Sequence, residues 1–460
     1  MPTQTEGALA RFAPERFSTF RFLGRELDEH GHATLRYALD DEIEFTERVT
    51  LPAPAPLDDD HRERLDGLLA LLHWVAGVSY FKTAAPPAVS CEAGAPSPAA
   101  ADLLEALYSE GLAEFAYTNR LERLPRPSFP RAAAEPRAAE AAPRGASDPA
   151  RVLVPVGGGK DSIVALEIAR RAGLDVGLFS VGDAAPIART VAVSGLPRLQ
   201  ALRELDPHLI ELNRAGALNG HVPVTAIVTC IALLTAAING YDSVAMANER
   251  SASHGNVTWD GVEVNHQFSK GMRAERLLTR ALAEIPGAPR AFSLLRPASE
   301  LAIARAFARM EQYHGAFTSC NAIFRLDPSL RSASWCCDCP KCRFVFLALA
   351  PFSDPAHLRE VFGADLLDED SQREGFALLT ATGGHKPFEC VGEEQESVAA
   401  LRMLARDDRW REHRVVVALA QDVLARLPDD VGDPDVVLSL ARDHDVPDVF
   451  SAHADAILGA

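Results

Sequence analysis

The chain has 460 residues, of which 47% are apolar and 24% are charged, a balance typical of soluble proteins with large cores. This composition excludes collagenous, disordered and coiled-coil proteins, and the length favours about two to four domains. There are 64 acidic residues against 46 basic ones, so the formal net charge is −18. Such a charge disfavours nucleic acid and anionic membranes as partners, although a local cleft can still be basic.

Residues 1–6 lack the basic and apolar regions of a signal peptide, and the apolar stretches 68–81 and 225–238 are too short to span a bilayer. Four of the eight cysteines lie within residues 336–342, which suits a metal site better than a disulfide framework. These features predict a soluble, cytoplasmic protein. Only five of the 46 basic residues are lysine, and the others are arginine. A lysine in such an arginine-rich chain suggests that its position needs a compact ammonium group. Four of the five lie in the motifs described below: Lys160, Lys270, Lys341 and Lys386.

The N-terminal part of the sequence predicts an α+β domain over residues 1–124. Strand-like alternation and then helical patterns occur at 17–23, 33–38, 42–51, 61–81 and 100–115. Residues 125–150 are rich in Pro and Ala and nearly free of large apolar side chains, which predicts an exposed linker.

From residue 151 the pattern changes to alternating strands and helices. Short apolar runs predict strands at 152–156, 176–181, 209–212, 243–247 and 292–295. Helical spacing predicts helices at 161–171, 225–239 and 300–310. The alternation favours an α/β fold with a doubly wound parallel sheet over residues 151–352, whose ligands bind at the carboxyl ends of the strands. Residues 353–460 are predicted to form a helical C-terminal region.

A glycine-rich loop follows the first of these strands. It consists of Gly157, Gly158, Gly159, Lys160, Asp161 and Ser162. Glycines let the backbone approach a phosphate chain closely, and the N-terminus of the following helix adds a positive dipole. Asp161 and Ser162 can cap that helix or reach a metal ion or phosphate. The spacing fits neither Walker A nor the dinucleotide fingerprint, and the structural alternative is an ordinary glycine turn.

Cysteines form the second motif. Cys336, Cys339 and Cys342 are spaced as C-x-x-C-x-x-C, and Cys320 can supply a fourth thiolate. Four sulfur ligands would complete a closed, tetrahedral zinc knuckle, with Cys337 as a spare thiol. An iron–sulfur cluster and a reactive cysteine pair are the alternatives.

The segment after the fourth predicted strand lies where a doubly wound sheet places ligand-binding loops. It contains Asn248, Glu249, Arg250 and Ser251. Arg250 can clamp a carboxylate or phosphate, and Glu249 can hold Mg²⁺.

Two later segments carry candidates for proton transfer. His266 and Lys270 suit acid–base work or phosphate contact, although each alone is more often a surface or packing residue. Residues 383–392 combine flexible glycines with His385 and Cys390, each able to transfer a proton. The alternative for this second segment is a simple connector between helices.

The glycine loop resembles the pyrophosphate loop of ATP pyrophosphatases of the adenine-nucleotide α-hydrolase-like fold, with Gly157 in place of the first serine of Ser-Gly-Gly-x-Asp-Ser. The resemblance implies that residues 157–162 bind the phosphates of ATP and that the end of the second strand, including Ser180, holds the adenosine. The 7-cyano-7-deazaguanine synthases share this loop and an upstream cysteine followed by C-x-x-C-x-x-C, which is consistent with structural Zn²⁺.

Several segments together resemble the family of UDP-N-acetylmuramoyl-L-alanyl-L-glutamate epimerases, namely 154–162, 248–252, 264–270, 295–300, 339–346 and 386–390. The resemblance spans about residues 70–400. It implies that ATP and Mg²⁺ drive inversion of the terminal L-Glu of UDP-MurNAc-L-Ala-L-Glu to D-Glu in peptidoglycan precursor synthesis. Adenylation of the carboxylate, with release of pyrophosphate and later AMP, would remove the negative charge that makes the neighbouring α-hydrogen so weakly acidic.

Under this interpretation His266, His385 and Cys390 are the candidate proton-transfer residues, because the pKa values of His and Cys can be tuned near neutral pH. Arg250 and Lys270 would offset charge on the substrate or the phosphates, and a local basic cleft is expected. One alternative is an enzyme of the 7-deazaguanine or tRNA-thiolation type, against which the net charge of −18 counts. The other is a nucleotide sensor that binds ATP without turnover.

Overall fold

The computed structural model describes residues 12–53, 62–133, 149–324, 331–332, 334–380 and 387–459. The strands are β1 Thr19–Leu27, β2 His32–Leu39, β3 Ile43–Thr50, β4 Ala88–Cys91, β5 Arg151–Pro155, β6 Asp175–Val181, β7 Arg198–Glu204, β8 Ser243–Met246, β9 Val257–Trp259, β10 Val262–Val264 and β11 Arg290–Ser293. The helices are α1 Arg62–Ala76, α2 Val78–Phe81, α3 Pro98–Tyr108, α4 Ala113–Thr118, α5 Lys160–Arg171, α6 Ala185–Ser194, α7 Pro207–Arg214, α8 Val224–Ile238, α9 Met272–Ala283, α10 Glu300–Ala308, α11 Pro340–Leu349, α12 Pro355–Phe362, α13 Arg373–Leu379, α14 Glu394–Leu404, α15 Arg414–Asp422, α16 Pro434–Leu438 and α17 Asp448–Leu458. Among these helices none combines the length and the apolar character of a membrane span.

One nine-stranded sheet organises the fold, in the order β11-β8-β5-β6-β7-β3-β2-β1-β4. Neighbouring strands from β11 to β7 are parallel. The chain moves outward from β5 through β6 to β7 and then returns to place β8 on the other side of β5. Such a reversal leaves a crevice at the carboxyl ends of the two central strands, here β5 and β8. The predicted mixed α/β fold with a parallel-rich sheet is confirmed.

Helices cover both faces of the parallel strands. Side chains alternate across a sheet, and β5 therefore feeds two separate cores. Val152 and Val154 pack in one core with α5, α10 and the C-terminal helices, whereas Leu153 packs in the other with α1, α3 and α8. Burial on both faces explains why β5 is a continuous apolar run.

One predicted strand is wrong. Residues 209–212 lie within α7, which begins at Pro207 after the N-cap Asp206, whose carboxylate accepts a hydrogen bond from the His208 N–H. Asp at the N-cap and Pro at the first helical position both favour a helix, and here they outweigh the short apolar run. The third parallel strand is β7, whose side chains are mostly half-buried or exposed, so that it carries no long apolar run. The other predicted strands and the helical C-terminal region are confirmed.

The N-terminal strands extend the same sheet. β1, β2 and β3 form an antiparallel meander, and β3 pairs with β7 so that Val49 lies opposite Arg203. The described start of the predicted linker is also packed, because Phe129 is buried beside Phe22 and Tyr108. The predicted exposure of the linker is therefore wrong at Phe129. The division of the chain into domains near residues 124, 150 and 352 stays a prediction.

A buried ion pair connects the two parts of the sheet. Arg203 of β7 donates two hydrogen bonds to the carboxylate of Glu47 in β3, at 2.8 and 2.9 Å, and a third to Ser79 Oγ at 3.0 Å. The Glu47 side chain is fully buried. A charge in such surroundings is costly without its partner, so the pair ties β3 to β7 in one arrangement.

We expect Glu47→Gln to lower the free energy of unfolding by about 3 kcal/mol, because it leaves the Arg203 charge buried and unpaired. The matched control is Glu42→Gln, which breaks the exposed ion pair of Glu42 with Arg16 and should cost less than about 1 kcal/mol. Urea unfolding followed by circular dichroism measures both changes. Equal losses in the two variants would contradict this role for the buried pair.

Candidate active site

The glycine loop lies between β5 and α5 and is held tightly against its neighbours. Gly158 has a φ of +80°, and a Cβ at this position would lie 2.6 Å from the backbone of Pro186. The Thr318 N–H donates to Gly158 O at 2.9 Å. At Gly159 a Cβ would lie 2.8 Å from Ser319 Oγ. Gly158 therefore requires glycine for both conformation and space, whereas a side chain at Gly159 would have to displace the Ser319 hydroxyl.

Gly159 is the N-cap residue of α5, and among the described residues no side chain makes the cap hydrogen bond there. The predicted capping role of Asp161 and Ser162 is therefore wrong. Ser162 Oγ instead donates to Gly159 O at 3.0 Å, and the Asp161 carboxylate pairs with Lys160. An uncapped helix start that follows a glycine turn suits the binding of an anion.

Behind the glycine loop lies a buried cluster of lysines and carboxylates. Lys160 Nζ contacts the carboxylates of Asp161 and Glu300, and Lys341 Nζ lies 3.9 Å from the second oxygen of Glu300. The side chains of Lys160 and Glu300 are each 1% exposed. Lys160, predicted to bind phosphate, thus has its ammonium group held by two carboxylates. Glu300 was not singled out as a site residue by the sequence.

Burial and charge act in opposite directions on the pKa values in this cluster. Burial raises the pKa of Asp161, but the charges of Lys160 and Lys341 outweigh it and bring this pKa below its ordinary value. Burial lowers the pKa of Lys160, and the charges of Asp161 and Glu300 more than reverse that effect. Burial and the charge of Asp161 together raise the pKa of Glu300. The shifts show that these groups are desolvated and depend on one another for their charge.

The segment after β8 contributes one unpaired carboxylate. Glu249 is fully buried, and neither of its carboxylate oxygens has a hydrogen-bond partner in the described part of the chain. Its three predicted companions are all engaged: Asn248 donates to Ser293 Oγ, Arg250 to the carbonyls of Val437 and Ser439, and Ser251 to Glu396. An unpaired buried carboxylate is costly unless a cation or donor faces it, which makes Glu249 a candidate for holding a bound cation.

Lys270 carries positive charge into the same region. Burial lowers the pKa of Lys270, but the negative charges of Cys390 and Glu249, followed by those of Asp161 and Glu300, raise it above its ordinary value. Its ammonium group donates to Gln267 Oε1 at 3.3 Å. Lys160, Lys270 and Lys341, three of the five lysines, therefore share one set of carboxylates. The set consists of the three carboxyl groups of Asp161, Glu249 and Glu300, one for each of the three lysines. The expected basic cleft therefore stays a prediction.

Cys390 and His266 lie next to each other beside Lys270. The two side chains lie close enough for each to shift the pKa of the other, and Lys341 Nζ donates to the backbone carbonyl of Cys390. Burial raises the pKa of Cys390, but Lys270 and the neighbouring His266 and Lys341 lower it to about 7. His385, the third candidate for proton transfer, lies outside the described residues.

His266 is linked to the N-terminal part of the chain. Its Nδ1 donates to the carboxylate of Glu114 in α4, and its ring lies 4.1 Å from that of His221, measured between centroids. Burial lowers the pKa of His266, but Cys390 and Glu114 raise it to about 9. Burial and the positive charges of His266 and Lys270 lower the pKa of His221 to about 3. His266 is thus charged and His221 neutral near pH 7.

The four predicted cysteine ligands converge. The ligand atoms of Cys320, Cys336, Cys339 and Cys342 lie within 4.8 Å of one another. Cys342 Sγ is 3.5 Å from Cys339 Sγ and 3.8 Å from Cys336 Sγ. Sulfurs at the corners of a tetrahedron around a metal at about 2.3 Å would be about 3.8 Å apart. The spare Cys337 points away and donates to Phe362 O at 3.3 Å.

Ser180 lies at the carboxyl end of β6, next to the glycine loop. Its hydroxyl donates to Gly182 O at 3.0 Å, and the backbone of the adjacent Phe179 accepts from the Val156 N–H at 2.8 Å. The loop after β5 and the end of β6 are thus neighbours. The resemblance to the ATP pyrophosphatases implies the same two segments for the phosphates and the adenosine.

Four residues of this site were missed as candidates from the sequence: Glu114, His221, Glu300 and Lys341. Lys341 carried a usable signal, because lysine is rare in this chain and this one lies between two cysteine ligands. Glu300 follows Ser299, a helix N-cap, and an acidic residue there is ordinary. Glu114 and His221 carry no local signal, since only the fold brings them to His266.

These features define a class of protein: an α/β protein whose charged, buried residues collect where the central parallel strands end. The chain belongs to the MurL family. Sequence models of the MurL N-terminal domain and the MurL C-terminal domain match residues 11–294 and 316–432.

Three relatives support this assignment, and each is named UDP-N-acetyl-alpha-D-muramoyl-L-alanyl-L-glutamate epimerase. A protein of Salinispora tropica is 50% identical over 419 residues, 89% of each chain. A Micromonospora protein is 49% identical over 89% of this chain and 91% of its own. A protein of Xanthomonas oryzae pv. oryzae is 41% identical over 95% of this chain and 97% of its own.

We expect Gly158→Ala to destabilise the protein by more than backbone strain alone, because the new methyl group would overlap Pro186. Gly173→Ala is the matched control, since Gly173 has a similar φ of +74° but open space around a Cβ. The control should cost only about 1–2 kcal/mol of backbone strain. Urea unfolding measures both variants, and equal losses of stability would show that the close approach at Gly158 is unimportant.

Proposed function

We propose that this chain is an ATP-dependent epimerase that inverts the terminal L-Glu of UDP-MurNAc-L-Ala-L-Glu to D-Glu, for peptidoglycan precursor synthesis. The names of relatives at 41–50% identity over most of the chain support the reaction.

The observation that carries the proposal is a continuous line of contacts from the glycine loop to a tuned thiol. Asp161 pairs with Lys160, Lys160 with Glu300, Glu300 with Lys341, and Lys341 with the carbonyl of Cys390. A site that activates a carboxylate with ATP and then moves its α-proton needs both ends of this line in one place.

ATP would bind at the glycine loop in the manner of the pyrophosphate-loop ATP pyrophosphatases. The uncapped start of α5 and the close-packed glycines support a phosphate site there. Ser180 at the end of β6 would lie beside the adenosine. In this proposal the sheet with its reversal between β5 and β8 is of the adenine-nucleotide α-hydrolase-like type.

Glu249 would hold Mg²⁺, because its buried carboxylate has two free oxygens and oxygen ligands suit this cation. Mg²⁺ bound there would offset charge on the phosphates. Lys270, desolvated and positively charged, would stabilise the negative charge that develops on the substrate carbonyl when the α-proton leaves.

The chemistry would run in three steps. The glutamate carboxylate attacks the α-phosphate of ATP and displaces pyrophosphate, which gives an acyl adenylate. A base removes the α-proton, the electron pair delocalises onto the now uncharged carbonyl, and a proton returns to the opposite face. Water then hydrolyses the adenylate to AMP and the carboxylate. Cys390, with a pKa of about 7, is the described group best suited to the proton transfer; His266 beside it and His385 are the other candidates.

The cysteine cluster would hold a structural Zn²⁺. Sulfur separations of 3.5 and 3.8 Å fit one tetrahedral ion, whereas the cysteines of an iron–sulfur cluster bind different iron atoms and lie farther apart. Four thiolates leave no open coordination position, so the metal would fix the local fold, including the position of Lys341 between two ligands.

We expect the purified protein to release pyrophosphate from ATP and Mg²⁺ only when UDP-MurNAc-L-Ala-L-Glu is present. In deuterated water the terminal glutamate should gain α-deuterium, and chiral analysis should show D-Glu. Absence of both signals while ATP still binds would contradict the proposal and would assign the loop to another acceptor.

Cys390→Ser separates the two halves of the reaction. Pyrophosphate release should persist, whereas α-deuterium incorporation should fall by at least about 100-fold, because a serine hydroxyl is far less acidic than this thiol. Cys91→Ser is the matched control, since Cys91 is also half-buried but burial raises its pKa to about 12. Exchange at the wild-type rate in Cys390→Ser would remove Cys390 from the proton transfer.

We expect one Zn²⁺ per chain in the purified protein, measured by inductively coupled plasma mass spectrometry. Cys339→Ser should lose the metal because it removes one of the four converging thiols. Cys337→Ser, at the neighbouring spare thiol, should retain it. Iron in place of zinc, or equal metal loss in both variants, would contradict the assignment.

A further inference from the structure

Glu114 in α4 belongs to the N-terminal part of the chain, yet its carboxylate lies at the proposed site of proton transfer. It pairs with His266 Nδ1, and the side chains of Glu114 and His266 are only 12% and 15% exposed. His266 in turn lies close enough to Cys390 for each side chain to shift the pKa of the other. Carboxylate, imidazole and thiol are therefore neighbours in one line whose members come from three distant parts of the sequence.

We propose that Glu114 is a positioning residue that holds His266 as an imidazolium, and that this imidazolium holds Cys390 as the thiolate that removes the α-proton. The inference rests on the proposed function. It gives the N-terminal part of the chain a role in the reaction, because α4 supplies the first member of the line. The arrangement follows the general logic of a reactive group, a histidine beside it and a carboxylate that orients the histidine.

The charges around the line favour this assignment. Lys270 and Lys341 face Cys390 together with His266, and all three positive groups stabilise a thiolate. Glu389 lies next to Cys390, and burial raises the pKa of its carboxyl group.

A divalent cation is the other ligand that these residues could take, since Glu114, His221 and His266 offer three ligand atoms within 4.8 Å of one another. The surroundings disfavour it. Glu114 and His266 already neutralise each other, and Lys270 lies close enough to lower the pKa of His221. A dication would have to displace a proton from His266 and approach an ammonium group.

The proton step balances within the line. The Cα–H bond of the adenylated glutamyl residue breaks and an S–H bond forms at Cys390, while the electron pair moves onto the carbonyl oxygen. His266 keeps its proton between Cys390 and Glu114 and changes only the stability of the thiolate. Glu114 touches no reacting atom.

The ionisation of Cys390 can be measured directly by an NMR pH titration of protein that carries ¹³Cβ-labelled cysteine. The Cys390 signal is assigned by its loss in Cys390→Ser. In Glu114→Gln the imidazolium loses its partner, so the pKa of Cys390 should rise by about one unit or more. Glu114→Asp keeps the carboxylate and should restore most of the shift. Glu110→Gln is the matched control, because Glu110 lies one turn away in an ion pair with the exposed Arg273.

The same variants are then assayed for pyrophosphate release and α-deuterium. Glu114→Gln should retain the first and lose at least about fivefold in the second at pH 7, since a rise in the pKa of Cys390 from about 7 by one unit lowers the thiolate fraction from about one half to about one eleventh. An unchanged Cys390 titration, or wild-type exchange, in folded Glu114→Gln would overturn the inference while leaving the epimerase proposal intact. Absence of exchange in the wild-type protein would instead contradict the proposed function.

A metal at this position would also overturn the inference. Mn²⁺ bound by His221 and His266 would show imidazole-nitrogen modulation in electron spin-echo spectra, and His221→Ala would abolish it. We expect no such signal in the wild-type protein, with or without ATP.

Discussion

A buried carboxylate needs positive charge beside it, and Glu300 imposes this requirement on three parts of the chain at once. Lys160 comes from the start of α5, Lys341 from the cysteine cluster, and Glu300 itself opens α10. Lys160 contacts both Asp161 and Glu300, so the charges of these groups compensate one another. The glycine loop, the cysteine cluster and the helix between them are therefore fixed relative to one another by electrostatics as well as by packing.

This constraint connects the cysteine cluster to the proposed site of proton transfer. The connection does not require a metal with an open coordination position. Lys341 lies between Cys339 and Cys342, so the geometry of the thiols determines where its ammonium group can reach. From there it contacts Glu300 and the carbonyl of Cys390. Asn321, next to Cys320, donates to the carboxylate of Glu389. Two contacts thus run from the cysteine cluster to the segment that carries the tuned thiol.

The sequence predicted the parts of the site that have a local signature and missed those that depend on the fold. The glycine loop, the cysteine spacing and the apolar strands β5, β6 and β8 are visible because each is a short, continuous pattern. β7 was missed because its exposed side chains break the apolar run. Glu114 was missed because only the packing of α4 brings it to His266, about 150 residues away.

Under the proposed mechanism the parallel-stranded region could not serve alone. The reversal between β5 and β8 creates a crevice, and residues 151–352 supply its glycine loop, its lysines and Glu249. The thiol comes from Cys390, beyond that region, and the carboxylate that orients His266 comes from α4, before it. A fragment limited to residues 151–352 would keep the groups proposed for ATP but lose both ends of the line proposed for the proton. The stretches of chain proposed for activation and for proton transfer thus differ, and the pairing of β3 with β7 and the contact of Lys341 with the Cys390 carbonyl help to bring them together.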